Sequence, residues 1–154
     1  MNAIELLVKD HKTVKKLLED LTSTTERAVK KRAELLGKLD YELRLHTQLE
    51  EEILYPAFKK AGKKEEATMY YEAKEEHRTV DALVLPDLMK TDTGTVEFSG
   101  RAKVMKELLE HHIEEEESEM FPKARELFSD AELETLGQQM EQYKKDFKGT
   151  QHAA

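Results

Sequence analysis

The sequence predicts an all-α protein: an antiparallel up-down four-helix bundle with a short fifth helix at its C-terminal end. Three observations predict it. Apolar and charged residues each make up 38% of the 154 residues, with only 6 Gly and 3 Pro, a mixture that suits helices with one buried stripe and well-solvated outer faces. Apolar residues recur at the 3.6-residue helical period in four long segments. Nothing alternates with period two over a useful length, so no sheet is expected.

Ile4, Leu7, Val8, His11, Val14, Leu17, Leu18 and Leu21 follow that period and predict a first helix from about residue 2 to about 21. Thr22-Ser23-Thr24-Thr25 interrupts it, and Ser23 with Glu26 has the spacing of a capping box for a second helix. The buried face of that helix is expected to carry Leu35, Leu39, Leu43, His46, Glu50, Ile53 or Leu54, and Ala57. Pro56 should kink it, because proline removes a backbone donor and crowds the preceding turn. Gly62 should end it. A third helix from about Lys64 carries Tyr70, Ala73, His77, Val80 and Val84 on one stripe, and Pro86 kinks or ends it. Thr91-Asp92-Thr93-Gly94-Thr95 is the clearest loop. The fourth helix, about 97 to 127, carries Met105, Leu108, Leu109, His112, Glu116, Met120 and Pro122. Ser129 and Glu132 form a second capping box and open the short fifth helix. The organisation expected is therefore a bundle over 1–127, a packed helix over 128–148 and a disordered tail over 149–154.

A formal charge of −8 argues against nucleic acid and anionic membrane surfaces, which call for a basic footprint. No apolar run reaches the length of a membrane span, and Met-Asn-Ala-Ile-Glu lacks the pattern of a signal peptide. A cytoplasmic location is the expectation. Cysteine is absent, which excludes disulfides, iron–sulfur clusters and thiolate zinc sites. Any metal would be held by nitrogen and oxygen, a donor set that favours iron or manganese, with zinc as competitor.

Such donors repeat along the chain. His11 and His77, His46 and His112, and Glu50 and Glu116 are each 66 positions apart (77−11, 112−46, 116−50), and Pro56 and Pro122 keep the interval. An internal repeat of metal-ligand types points to a duplicated site rather than a duplicated core. His46/Glu50 and His112/Glu116 both read H-x3-E, which places imidazole and carboxylate one turn apart on one helical face. Each of the four helices then supplies one histidine. His11 and His46 are expected to hold one metal and His77 and His112 a second, with Glu50 and Glu116 facing each other and bridging both. The bland alternative is a set of surface histidines and solvated glutamates, and a lone H-x3-E would not exclude it. The shared offset does, because six such groups turned inward without a ligand would be strongly destabilising.

Neighbouring residues read differently. His111/Glu115 is also H-x3-E, but is rotated by about 100° and matched by Leu45 and Leu49 in the first half, so His111 reads as a flank residue. Glu51, Glu52, Glu114, Glu117 and Glu119 read as a solvated face, and Met105 and Met120 as core filler. Tyr70 reads as core, with support of a ligand from behind as the alternative.

The order H…H-x3-E…H…H-x3-E on a cysteine-free four-helix bundle resembles the hemerythrin-like, or HHE cation-binding, domain over about residues 2 to 127. The resemblance implies a non-haem di-iron centre, oxo- or hydroxo-bridged, held by His11, His46, Glu50, His77, His112 and Glu116. It also implies binding or reduction of oxygen, peroxide or nitric oxide, with an unidentified electron donor. Oxygen-carrying members have another histidine one turn before the third-helix histidine and H-x4-D on the fourth helix. Here those places hold Ala73 and H-x3-E. The chain thus looks like the short stand-alone bacterial type, expected to leave the second iron more open and to react with its ligand. A non-catalytic sensing or storage module is the alternative.

Overall fold

The computed structural model describes the backbone of residues 1–153 and the side chains of residues 1–150. Five helical elements make up the fold, and the described residues contain no strand. Helix α1 is Ala3–Thr22, opened by an Asn2/Glu5 capping box. Helix α2 runs as Val29–Leu49, a π turn Glu50–Leu54, and Tyr55–Ala61. Helix α3 follows as Lys64–Thr79, a π turn Val80–Val84, and Leu85–Lys90. Helix α4 comprises Val96–Glu115, a π turn Glu116–Met120, and Phe121–Leu127; helix α5 is Asp130–Ala153.

Two core clusters show the antiparallel arrangement. One gathers the start of α1 (Ile4, Leu7), the end of α2 (Tyr55, Phe58), the start of α3 (Ala73) and the end of α4 (Phe121, Ala124). The other gathers the opposite ends: Val14 and Leu18, Leu35 and Leu39, Leu85 and Leu88, Phe98 and Met105. The buried His11, His46, Glu50, His77, His112 and Glu116 lie on the helix segments between these clusters.

The prolines explain the π turns. Each wide turn begins six residues before a proline: Glu50 before Pro56, Val80 before Pro86, Glu116 before Pro122. Proline lacks the N–H for the α-helical bond and its ring presses on the carbonyl four residues back. The helix widens by one residue there, and the N–H of Tyr55, Leu85 and Phe121 donates to the carbonyl of Glu50, Val80 and Glu116 respectively. The extra residue shifts every later side chain around the axis. After Glu50 the buried positions are therefore Leu54, Tyr55 and Phe58, while Ile53 and Ala57 are only partly buried.

Two expectations at helix ends are corrected. Ser23 and Glu26 form no capping box: α2 starts at Val29 with no side-chain cap, and the Ser23 N–H donates back to the Glu19 carbonyl. Arg32 fixes this connection. Its guanidinium, 1% exposed, donates to the Thr24 carbonyl and hydroxyl, the Thr93 and Thr95 carbonyls and Ser99 Oγ, binding the 23–28 connection to the 91–95 loop. The fifth helix is not short either. Its Ser129/Glu132 capping box is present, but the helix continues past Gly149 to Ala153. One glycine does not stop a helix, and Thr150 bonds back to the Asp146 carbonyl. Ala154 lies outside the described residues.

Helix α5 is seated against α1 and α2. Leu133 and Met140 enter the core, and Tyr143 donates to Gln48. Gly137 is a close-approach residue, since a Cβ there would stand 2.4 Å from the Met1 carbonyl oxygen.

Candidate metal centre

The structure brings all six sequence-derived residues into one buried cluster, none more than 7% exposed. Within it, His11, His46, Glu50 and Glu116 form one group and Glu50, His77 and His112 another, so Glu50 is common to both. Glu50 Oε1 lies 3.3 Å from His46 Nε2, 3.0 Å from His77 Nε2 and 3.9 Å from His112 Nε2. Glu116 Oε1 lies 3.2 Å from both His11 Nε2 and His112 Nε2. Both carboxylates therefore reach across the two halves.

The chemistry of this donor set fits metal cations. His11 Nε2, His46 Nε2, both oxygens of Glu50 and Oε1 of Glu116 are buried and in hydrogen-bond geometry with nothing. Buried polar atoms are normally satisfied, and a converging set of imidazole nitrogens and carboxylate oxygens is what nitrogen- and oxygen-preferring cations bind. The arrangement also turns the Nε2 atoms inward, where those of His77 and His112 stand 3.0 Å apart. Each ring turns its Nδ1 outward to a carboxylate: His11 to Glu117 at 2.6 Å, His46 to Asp10 at 3.3 Å, His77 to Glu51 at 3.1 Å and His112 to Glu76 at 2.8 Å. Such partners fix the tautomer and strengthen donation from Nε2.

Glu51 and Glu117 are thus corrections, since they hold histidines rather than form a solvated face. The repeat contained the signal: Glu51/Glu117 and Asp10/Glu76 are also 66 apart (117−51, 76−10). So are Tyr55 and Phe121 (121−55), which the π turns bring onto the site. Phe121 stacks on His11, centroids 5.6 Å apart at 8°, and Tyr55 stacks on His77 at 5.4 Å and 21°. The two halves differ here. Tyr55 donates to Glu116 Oε2 at 2.7 Å, and its oxygen is 3.4 Å from both His77 Nε2 and His112 Nε2. Phenylalanine offers no such oxygen.

His111 is 63% exposed, paired with Glu115 at 3.0 Å and outside the inner cluster. Tyr70 meets Tyr55 edge-on at 6.2 Å. Met105 and Met120 are core residues. Ala73, 4% exposed, borders a void of about 20 Å³ lined also by Met69, His112, Glu116 and Met120.

Without a cation the cluster is strongly coupled electrostatically. Burial alone would lower the His46 pKa, but Glu50 and Asp10 outweigh it and raise it to about 10. Against the same burial effect, Glu50 and Glu51 raise His77 to about 9. Burial favours the neutral form of Glu50, yet His46 and the surrounding donors hold it well below the usual carboxylate range. Burial and the Glu116 and Glu50 carboxylates push the Tyr55 phenol up, so it keeps its proton.

Comparison with known proteins agrees with this geometry. Residues 2–124 match the family described as Hemerythrin HHE cation binding domain. An uncharacterised protein of Mycobacterium tuberculosis, Rv2633c, is 32% identical over 146 residues, covering 91% of this chain and 83% of its own. Its Mycobacterium bovis counterpart, Mb2666c, matches equally. The crystal structure of a Hemerythrin HHE cation binding domain-containing protein, the Rv2633c homolog from Mycobacterium kansasii, superposes with a TM-score of 0.83 at 30% identity. The match covers 97% of this chain and 89% of that one. No helix among the described residues is long and apolar enough to cross a membrane. The chain belongs to the hemerythrin HHE cation-binding domain family.

Proposed function

We propose that this chain is a non-haem di-iron protein that binds and reacts with oxygen, peroxide or nitric oxide. One observation carries the reading: five buried nitrogen and oxygen atoms of α1, α2 and α4 converge without hydrogen-bond partners, beside the buried His77 of α3. His11 and His46 would hold one ion, His77 and His112 the other, and Glu50 and Glu116 would bridge. A pair of adjacent irons supplies binding sites and electrons for a small diatomic or peroxide; manganese or zinc could occupy the same donors.

The chain's own residues set the conditions for that chemistry. Asp10, Glu51, Glu76 and Glu117 hold the Nδ1 protons and so direct Nε2 inward. Phe121 and the flanking core keep bulk water from the His11 side. Tyr55 presents the only hydroxyl hydrogen-bonded within the inner cluster among the described residues. It stands at the His77/His112 half, where it can hold its proton and offer a hydrogen bond beside a bound ligand. An external electron donor would complete turnover. The alternative, a non-catalytic sensing or storage module, would use the same ligands without consuming anything.

The test is anaerobic reconstitution with ferrous iron, elemental analysis, and then titration with oxygen, peroxide and nitric oxide. About two irons per chain, an oxidised-iron spectrum and catalytic loss of peroxide or nitric oxide are expected. One iron or none sinks the di-iron reading; two irons with stoichiometric binding only would favour the sensing or storage module.

A further inference from the structure

The four carboxylates behind the histidines are not equivalent. Glu51, Glu76 and Glu117 approach their imidazoles at 3.1, 2.8 and 2.6 Å. None of the three pairs with a lysine or arginine among the described residues; Glu76 also meets a second histidine, His111, at 3.9 Å. Asp10 is different. Its Oδ1 accepts a 2.6 Å bond from Lys144 Nζ on α5, and its Oδ2 stands 3.3 Å from His46 Nδ1, the longest of the four distances. Asp10 is buried and Lys144 only 32% exposed, so this contact is poorly screened by solvent. The position is fixed twice more on the same helix, by Gly137 against Met1 and by Tyr143 on Gln48. Helix α5 lies outside the segment that matches the family, which ends at residue 124.

A carboxylate behind an imidazole strengthens Nε2 donation in proportion to the negative charge it places near the Nδ1 proton. A cation on the same carboxylate withdraws that charge. We propose that Lys144 is a positioning residue that acts through Asp10 on His46 and makes the His11/His46 half the weaker of the two cation sites. This rests on the metal reading above. It gives a helix outside the family segment a role in setting the two sites apart.

Cobalt(II) is the probe. The full-length protein, stripped by chelator, is titrated anaerobically against a chromophoric competitor, which yields two stepwise constants and the ligand-field band of each step. The native chain should bind in two unequal steps, with the weaker lost in His46→Gln. Lys144→Met should tighten the weaker step by about tenfold, the lower end of what such outer partners contribute, and leave the other step in place. Lys144→Gln, which keeps a donor without the charge, should move the same step if the methionine variant disturbs α5. Asp10→Asn should weaken that step, and adding Lys144→Met to it should change nothing further. Lys145→Met, on an exposed neighbour, should be silent. Equal movement of both steps, or of neither, overturns the role of Lys144. A native chain that binds no cobalt overturns the metal reading as well, whereas two bound ions with Lys144→Met unmoved overturn this inference alone.

Discussion

Tyr55→Phe removes one oxygen from the centre and little else. The ring should stay in place, because the equivalent position 66 residues on already holds Phe121 stacked on a histidine. What is lost is the 2.7 Å bond to Glu116 Oε2, between a side chain 0% exposed and one 2% exposed. Hydrogen bonds to charged groups contribute about 1.5–3 kcal/mol, and an abandoned buried acceptor costs its full desolvation. The ion-free protein should therefore lose about 2 kcal/mol, equivalent to about 4–8 °C in melting temperature for a chain of this size. Urea unfolding of chelator-treated native and Tyr55→Phe proteins measures it, with the denaturant slope unchanged if the unfolded states match. A loss below about 0.5 kcal/mol, the ordinary scatter of surface substitutions, would refute the argument that this hydroxyl satisfies Glu116.

Three further outcomes are expected. Glu50→Ala or Glu116→Ala should abolish binding of both metal ions, because each carboxylate reaches histidines of both halves, while Glu115→Ala, 37% exposed, should retain both; equal metal content in the three variants would place the ligands elsewhere. Ala73→His must fit an imidazole beside a void of about 20 Å³, so the ion-free variant should lose about 1–3 kcal/mol. With iron bound, the added ligand should lengthen the life of the oxygenated spectrum and slow peroxide loss, and no change in either at full iron content would show that Ala73 does not govern the open side. The pH dependence has a definite sign. Folded His46 and His77 sit near 10 and 9, above their ordinary 6.5, so their contribution to stability is fully present below about pH 6.5 and is lost as pH rises through about 9 to 10. Melting temperature in chelator should fall over that alkaline range. Metal binding at neutral pH should release protons, measurable as buffer-dependent heats; a chelated protein equally stable at pH 7 and pH 10 would contradict it.

The interval of 66 made the six inner residues legible, because histidine is scarce enough for a repeated pair to stand out. It failed for Glu51, Glu76 and Glu117 because glutamate is abundant and a repeated one looks like chance. It failed for Tyr55 and Phe121 for a physical reason. A strict helical period carries the buried face from Glu50 to Ile53 or Leu54 and on to Ala57, whereas the π turn inserts one residue and moves Tyr55 and Phe58 inward. Proline six residues after the start of each wide turn was the available signal for that shift of register. The Ser23/Glu26 pair had the right spacing for a cap, but a buried arginine eight residues beyond Thr24 took that connection for its own donors.

The differences between the halves carry more about function than their likeness. Two helices in each half, wide turns at Glu50 and Glu116, a carboxylate behind every histidine and an aromatic ring on His11 and His77 are common to both. Against that symmetry, Leu7 occupies the position equivalent to Ala73 and Phe121 that equivalent to Tyr55, each 66 residues apart, and Asp10 but not Glu76 holds a lysine. All three changes run in one direction. The His11 half is closed by a leucine and a phenylalanine and has its carboxylate partly neutralised. The His77 half gains a void, a protonated hydroxyl and undiminished outer carboxylates. A small molecule bound at a metal centre needs space and a hydrogen-bond donor beside it, and the His77/His112 half has both the void and the Tyr55 hydroxyl. This asymmetry supports siting the proposed ligand chemistry on the His77/His112 side.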